Sequence, residues 1–165
     1  MENDAIVVID MLDPTGIDVI DVSGGTYFPG APSSSDRAST GPYFAEFGRR
    51  ARARTGAAVM VTGGVKTRAD AAGLVTSGAA DVVGLARTLA LDPDLPNRWL
   101  TPSGGDPEFP RFASTVPGGI TGWYTARLAD IAAGVDAPPA LSPEEALERF
   151  DRRAEELAAI WREQG

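Results

Sequence analysis

Three short apolar segments, alternating with helical patterns, constrain the fold of this chain more than any other feature. They comprise residues 17–22, 57–61 and 81–85, and the first two lead into the pairs Gly24-Gly25 and Gly63-Gly64. Apolar runs of this length are typical of parallel strands that are covered on both faces. Because α/β proteins bind ligands at the carboxyl ends of their strands, glycines at these ends mark the first candidate site.

Helical patterns lie between these segments. Residues 43–54 place Phe44, Phe47 and Ala51 on one helical face, and the alanine-rich residues 68–77 stop before Gly78. A glycine directly after such a pattern is typical of a helix end. Residues 1–13 also have the pattern of a helix. Helix and strand therefore alternate three times, which predicts a parallel α/β sheet, either open or closed into a barrel.

The last third of the chain has a different pattern. Residues 101–122 are rich in proline and glycine and predict a loop, and residues 123–133 predict a short helix. Ser142 and Glu145 have the spacing of a capping box, with Pro143 at the first helical position. An amphipathic helix follows, in which Leu147, Phe150, Ala154, Leu157 and Trp161 recur at spacings of three and four. We favour an outer helix that covers the chain's own core over a helix that binds a partner.

Composition and charge exclude several classes of protein. The chain has 165 residues, a net charge of −8 and a pI near 4.5, which argues against binding to nucleic acid. Its arginine cluster, residues 49–54, lies in a helical pattern and predicts a solvated helix face. No apolar run is long enough for a membrane span, and the acidic N-terminus has no basic leader. These features predict a cytoplasmic protein.

The chain contains neither histidine nor cysteine. A Ser-His-Asp triad, a histidine general base, a cysteine nucleophile and a thiolate metal site are therefore all excluded within this chain. Asp18, Asp21 and Asp81 are poor candidates for acid–base catalysis. The first two are out of register for one face of a strand, and Asp81 lies at the end of its strand opposite the glycines. We expect no catalytic residue and no metal site here.

Two neighbouring strand ends carry groups that bind phosphate. Gly63 and Gly64 would expose backbone amides, and the helix that follows would add its positive N-terminus. One βα unit later, Arg87 would offer a permanently charged, forked guanidinium. Each feature also has a purely structural interpretation, a tight turn for the glycines and a salt bridge to Asp92 or Asp94 for Arg87.

Several strings resemble bacterial NADH:flavin oxidoreductases of the Old Yellow Enzyme family. Residues 16–27 (GIDVIDVSGGTY) are similar to their sixth strand, and residues 43–47 (YFAEF) to the helix that follows it. Residues 59–64 (VMVTGG) are similar to their seventh strand, and residues 80–96, beginning ADVVGLAR, to their eighth strand and its exit. The resemblance implies an α/β fold that is part of a (β/α)₈ TIM barrel, with strands six to eight and their helices, plus C-terminal helices.

The resemblance also implies a division of the chain and a set of site residues. Residues 1–100 would form the barrel part, residues 101–122 a loop, and residues 123–165 helices that pack on the barrel. FMN phosphate would be bound by Gly63, Gly64, Ala86 and Arg87, and Ser23, Gly24, Gly25 and Tyr27 would lie near the flavin ring. Thr88 stands where relatives usually have proline, which would loosen that turn.

The resemblance implies an FMN-dependent NAD(P)H:flavin oxidoreductase of the ene-reductase type, acting on an electron-poor alkene or a similar small molecule. The chain lacks the counterparts of strands one to five, so we expect it to be inactive without a complementary N-terminal chain. A homo-oligomer is also compatible with the sequence. Two alternatives remain: a non-catalytic fragment or interaction module, and a barrel piece that binds another phosphorylated ligand.

Overall fold

A computed structural model describes residues 2–24, 41–112 and 116–164 of the chain. Contacts divide the chain into two compact units, Met1–Pro107 and Glu108–Gly165. The first unit contains a three-stranded parallel sheet with its helices, and the second contains two helices. No helix within the described ranges combines the length and the apolar composition that a membrane crossing requires.

The first unit follows the alternation that the sequence predicted. Its elements, in chain order, are α1 (Glu2–Leu12), a 3-10 turn (Asp13–Thr15), β1 (Val19–Val22), α2 (Ala45–Arg52), β2 (Ala58–Thr62), α3 (Arg68–Thr76), β3 (Val82–Gly84), α4 (Arg87–Leu91) and α5 (Leu95–Trp99). The strands lie in the order β1-β2-β3 and all pairs are parallel. The predicted α/β class and the three strands are thereby confirmed.

Among the residues that the structure describes, helices cover one face of this sheet. Val22, Val59 and Val61 point into a core that also contains Ile9 of α1, Ala51 of α2 and Leu74 of α3. On the other face Val19 is 49% exposed and Val82 is 42% exposed. The described residues therefore leave part of the second face open, where the sequence predicted strands covered on both faces. The connections between successive parallel strands are right-handed. Because the strands follow one another in order across the sheet, the helices in these connections lie on the same side of it.

Gly48 allows α2 to lie directly on β2. A Cβ atom at this position would be 2.5 Å from the Ala79 carbonyl oxygen and 2.6 Å from Cγ2 of Val61. Val61 is completely buried beneath the helix. The close approach explains a glycine in the middle of a helix, where it is normally unfavourable.

The arginine cluster ties α2 to its neighbours. Arg52 donates to both carboxylate oxygens of Asp81, at 2.9 and 2.6 Å, and to the carbonyl of Gly78 at 2.7 Å. Arg54 makes a similar two-bond contact with Asp10. These side chains are partly exposed, as predicted for a solvated face. They therefore combine solvent exposure with specific ion pairs.

The Arg52–Asp81 pair predicts a pH dependence of stability. The pKa of the Asp81 carboxyl is held below the ordinary value of 3.8, chiefly by hydrogen bonds from Arg52 and then by the Val59 amide. A carboxyl with a lowered folded-state pKa stabilises the fold above its unfolded pKa, and this contribution is lost as pH falls through the folded pKa. We expect Asp81→Asn to reduce stability at neutral pH, with the difference from wild type shrinking below about pH 4. Urea unfolding measured from neutral to acid pH tests this, and a pH-independent difference would contradict it.

Two short helices follow β3 that the sequence patterns did not predict, α4 and α5. In α5, Leu95 is completely buried and Trp99 is 8% exposed, so this helix belongs to the packed part of the unit. Each helix has only five residues. A hydrophobic period cannot be recognised over so few positions.

The second unit consists of α6 (Gly119–Ala132) and α7 (Pro143–Gln164). α6 begins at Gly119, four residues before the helix predicted from residue 123, and its glycines pack closely against α7. A Cβ at Gly119 would lie 2.7 Å from Cβ of Pro143, and one at Gly122 would lie 3.2 Å from the Ala146 backbone. The predicted capping box is confirmed, since the Ser142 amide donates to Glu145 and the Glu145 amide donates to the Ser142 hydroxyl.

The apolar face of α7 is only partly covered. Ala146 is completely buried, whereas Phe150, Leu157 and Trp161 are exposed. The first turns of α7 are therefore packed within the second unit, and the interpretation as an outer helix over the chain's own core stays a prediction. The packing partner α6 is 14 residues long and α7 is 22, and α6 contacts the N-terminal part of α7.

Candidate phosphate-binding site

The sheet register brings the two predicted strand ends to one edge. Thr62 of β2 pairs with Gly84 of β3, the last residues of their strands. Gly63 and Gly64 follow directly after β2, and Arg87 lies three residues after the end of β3, at the start of α4. Because both strands run in the same direction, the loops that carry these residues leave the same edge of the sheet.

A buried hydrogen bond joins these two loops. The Thr88 hydroxyl donates to the Val65 carbonyl oxygen at 3.0 Å, and Thr88 is only 3% exposed. The residue after Arg87 is thus bonded to the residue after Gly64. Thr88 was expected to loosen this turn because relatives have proline there. The structure shows that the threonine hydroxyl supplies a hydrogen bond between the loops that a proline side chain has no donor to make.

The Gly63-Gly64 turn requires glycine for reasons of backbone conformation and packing. Both residues have positive φ values, 130° and 76°. A Cβ at Gly63 would lie 2.6 Å from the Tyr43 ring, and one at Gly64 would lie 2.1 Å from the Gly41 carbonyl oxygen. Tyr43, which the sequence indicated only as a helix start, therefore packs on the turn. The structural interpretation of these glycines holds whether or not they also bind an anion.

The amides at the N-terminus of α3 already have partners within the chain. Asp70 accepts hydrogen bonds from the amides of Lys66 and Thr67, and the Thr67 hydroxyl accepts one from the Asp70 amide. The Arg68 amide donates to Asp106 at 2.7 Å. The sequence predicted that this helix N-terminus would help to bind phosphate. Side chains of the chain itself therefore already accept hydrogen bonds from these amides.

Asp92 and Asp94, the acidic residues that follow Arg87 in the sequence, both contact neighbouring side chains. Asp92 forms a salt bridge with Arg98, and Asp94 accepts a hydrogen bond from the Asn97 amide group at 2.6 Å. Arg87 itself is half-buried at the start of α4. Ala86, directly before it, is exposed and has φ −112° and ψ −85°, outside the helical and extended regions.

A polar contact at the same edge was not predicted. The Thr62 hydroxyl donates to the Asp21 carboxylate at 2.8 Å, which links β2 to β1. A Cβ at Gly84 would lie 1.8 Å from the same hydroxyl oxygen, so the glycine at the end of β3 makes room for Thr62. Asp21 thus has a structural partner, and the sheet register puts it on the uncovered face.

The residues expected near the flavin ring are only partly described. Ser23 and Gly24 follow β1 and are exposed. A Cβ at Gly24 would lie 3.1 Å from the Phe44 ring, so this position borders α2. Gly25 and Tyr27 lie outside the described residues. Within the described ranges, no group of three or more acidic, histidine or cysteine side chains is arranged to hold a metal ion.

Comparison with known proteins agrees with the class of enzyme that the strings resemble. The chain is 32% identical over 105 residues to the NADH-dependent flavin oxidoreductase iliE of Neonectria sp. (strain DH2). It is 31% identical over 102 residues to the protein of the same name from Hypocrea jecorina (strain QM6a). Each match covers 56% of this chain, but only 14% and 25% of the respective relatives. No family model matches the chain.

Proposed function

We propose that this chain is the C-terminal part of an FMN-dependent NAD(P)H:flavin oxidoreductase of the ene-reductase type, and that it carries the FMN-phosphate site without the catalytic half. The observation that carries the proposal is the buried Thr88–Val65 hydrogen bond, which joins the residue after the Gly63-Gly64 turn to the residue after Arg87. The similarity to two NADH-dependent flavin oxidoreductases supports the choice of a flavin as ligand.

The residues present fit a phosphate group. The backbone amides of Gly63 and Gly64 would bind its oxygens, and the Arg87 guanidinium would neutralise its charge. Positive φ values turn the glycine backbone in a way that other residues rarely adopt, and such turns form anion-binding concavities. When bound, the flavin would supply the hydride chemistry, whereas these residues hold and orient it.

The uncovered sheet face supports the missing catalytic half. Parallel sheets are almost always covered on both faces, and a (β/α)₈ barrel needs about 250 residues. Here Val19 and Val82 remain exposed on a three-stranded sheet. In this proposal strands one to five, supplied by a complementary N-terminal chain, cover that face and contribute the groups around the flavin ring.

Binding of FMN compared with riboflavin tests the phosphate site, because riboflavin lacks only the phosphate. We expect the purified chain to prefer FMN, and Arg87→Ala to remove roughly tenfold to a hundredfold of FMN affinity while leaving riboflavin binding unchanged. Flavin fluorescence titration measures both affinities, and Arg111→Ala, at an exposed position in the second unit, is the matched control.

Three outcomes of this experiment separate the alternatives. Equal affinity for FMN and riboflavin, or an Arg87→Ala variant that binds FMN like the wild type, would contradict the phosphate site. Competition by ribose 5-phosphate as strong as by FMN itself would favour a barrel piece for another phosphorylated ligand. Robust NADH oxidation by the isolated chain would contradict the assignment of catalysis to a missing half.

A further inference from the structure

A polar contact lies beside the Gly63-Gly64 turn, on the sheet face that the described helices leave open. The Thr62 hydroxyl donates to Oδ1 of the Asp21 carboxylate at 2.8 Å. Thr62 is the last residue of β2 and directly precedes Gly63. Because an extended chain spans at most about 3.6 Å per residue, the Cα atoms of Thr62 and Gly64 are no more than about 7 Å apart. A phosphate bound to the turn therefore lies close to this polar contact.

Three neighbouring strands each contribute one residue to this contact. β1 supplies the acceptor Asp21, and β2 supplies the donor Thr62. Gly84 of β3 pairs with Thr62, and a Cβ there would lie 1.8 Å from the Thr62 hydroxyl oxygen. A side chain at position 84 would therefore push the hydroxyl away from Asp21. The sequence thus preserves the contact at three positions that are far apart along the chain.

Polar side chains occupy only the carboxyl end of this face within the three described strands. Alternation along the strands places Asp21 and Thr62 on the open face. The other side chains that the strands place on this face are apolar, namely Val19, Ala58, Met60 and Val82. The polar pair therefore lies at the end of the sheet that carries the candidate phosphate site.

The Asp21 carboxylate can accept further hydrogen bonds. A carboxylate has about four acceptor positions, and among the described residues one hydrogen bond to Asp21 is made, by Thr62. The side chain is exposed, so a ligand can reach it. Because a carboxylate repels phosphate, its partners beside the turn have to be uncharged donors. Hydroxyl groups are such donors, and they form short, charge-assisted hydrogen bonds with carboxylates.

We propose that the Asp21–Thr62 pair binds the hydroxyl groups of a phosphorylated polyol whose phosphate lies on the Gly63-Gly64 turn. In FMN these hydroxyls belong to the ribityl chain, which connects the phosphate to the ring. This inference rests on the proposed function and deepens it, because it assigns the part of the ligand next to the phosphate to two residues of β1 and β2.

Riboflavin and lumiflavin isolate the contribution of the hydroxyls, because lumiflavin has the same ring with a methyl group in place of the ribityl chain. Asp21→Asn keeps the size of the side chain and removes its charge. We expect it to weaken riboflavin binding by roughly tenfold and to leave lumiflavin binding unchanged. Flavin fluorescence titration of the full chain measures both affinities. Asp18→Asn, at an exposed position roughly 10 Å away at the amino end of β1, is the matched control and should change neither.

Substitutions of Thr62 separate its hydroxyl from its packing. Thr62→Val removes the hydroxyl at nearly constant volume and should weaken riboflavin binding. Thr62→Ser retains the hydroxyl and should bind riboflavin like the wild type. A purely structural role for Thr62 would instead predict equal affinities of the two variants for riboflavin, and that result would remove Thr62 from the site.

Ribitol 5-phosphate tests the same pair without a flavin ring. In heteronuclear NMR titrations of the full chain we expect it to shift the amides of Thr62, Gly63 and Gly64, and to bind more tightly than inorganic phosphate. Asp21→Asn should abolish this preference. The variant should bind inorganic phosphate at least as tightly as the wild type, because it lacks a negative charge near the anion.

The outcomes separate this inference from the proposed function. Equal effects of Asp21→Asn and Asp18→Asn, or equal losses of riboflavin and lumiflavin affinity in Asp21→Asn, would overturn the polyol site. If Arg87→Ala still weakens FMN binding in that case, the phosphate site stands and only the polyol site is rejected. If neither ribitol 5-phosphate nor inorganic phosphate shifts the amides of Gly63 and Gly64, both the phosphate site and the polyol site are rejected.

Discussion

Gly64→Ala lowers the free energy of unfolding of the first unit by roughly 3 kcal/mol or more, the sum of two separate costs. The residue has a φ of +76°, where an alanine side chain is strained. The added Cβ would also lie 2.1 Å from the Gly41 carbonyl oxygen and 2.8 Å from Cδ1 of Tyr43. Backbone atoms cannot rotate away as a flexible side chain can, so the turn itself has to move.

Gly73→Ala is the matched control for this substitution. Gly73 lies within α3, and a Cβ there would meet nothing within 4 Å. Replacing a helical glycine by alanine should stabilise the unit by roughly 0.5–1 kcal/mol. Urea unfolding followed by circular dichroism, with hydrogen exchange of β2 peptides as a local readout, measures both variants. Two variants that change stability in the same direction would contradict the packing described for the Gly63-Gly64 turn.

The first unit was largely predictable because its patterns are local. Each strand has bounds within two residues of its predicted segment, since apolar runs between glycines leave few alternatives. What the patterns could not show is which sheet face the helices cover. The alternation of helix and strand patterns predicts the order of the elements along the chain. Whether the second face of the sheet is buried depends instead on how many strands the complete sheet contains.

The candidate site was predictable in position but not in its contacts. Parallel strands necessarily bring Gly64 and Arg87 to one edge, so that their proximity followed from fold class alone. The Thr88–Val65 hydrogen bond and the Tyr43 ring on the turn depend on side-chain positions across 23 and about 20 residues of sequence. Threonine after an arginine, and tyrosine before a helix, carry no local signal for such contacts.

The charged residues show the same division between local and distant information. The capping box of Ser142 was predictable because both partners lie within three residues. In contrast, Asp81 was recognised only as a residue before its strand, and its pairing with Arg52 spans 29 residues. An aspartate at the amino end of a strand and an arginine at the end of a helix become informative together only when the sheet order is known.

Arg127→Met should destabilise the second unit strongly, by roughly 2–4 kcal/mol. Arg127 is only 2% exposed, and its guanidinium donates to the carbonyl oxygens of Val135 at 2.8 Å and Ala137 at 3.3 Å. These contacts fix the segment that connects α6 to α7. Methionine would occupy much of the same volume but would leave the two carbonyl oxygens without this donor. The predicted loss of stability therefore reports mainly on the hydrogen bonds.

Arg152→Met provides the comparison, because Arg152 is an exposed residue of α7. Surface substitutions of this kind usually change stability by less than about 0.5 kcal/mol. Hydrogen exchange of peptides from α6 reports on this unit directly, and faster exchange in Arg127→Met than in Arg152→Met is the expected result. Equal exchange rates in the two variants would mean that the connecting segment holds its position without the buried guanidinium. The order of α6 and α7 would then rest on their direct contacts, among them the Gly122–Ala146 packing, which Gly122→Val would disrupt by adding side-chain atoms beyond a Cβ already 3.2 Å from the Ala146 backbone.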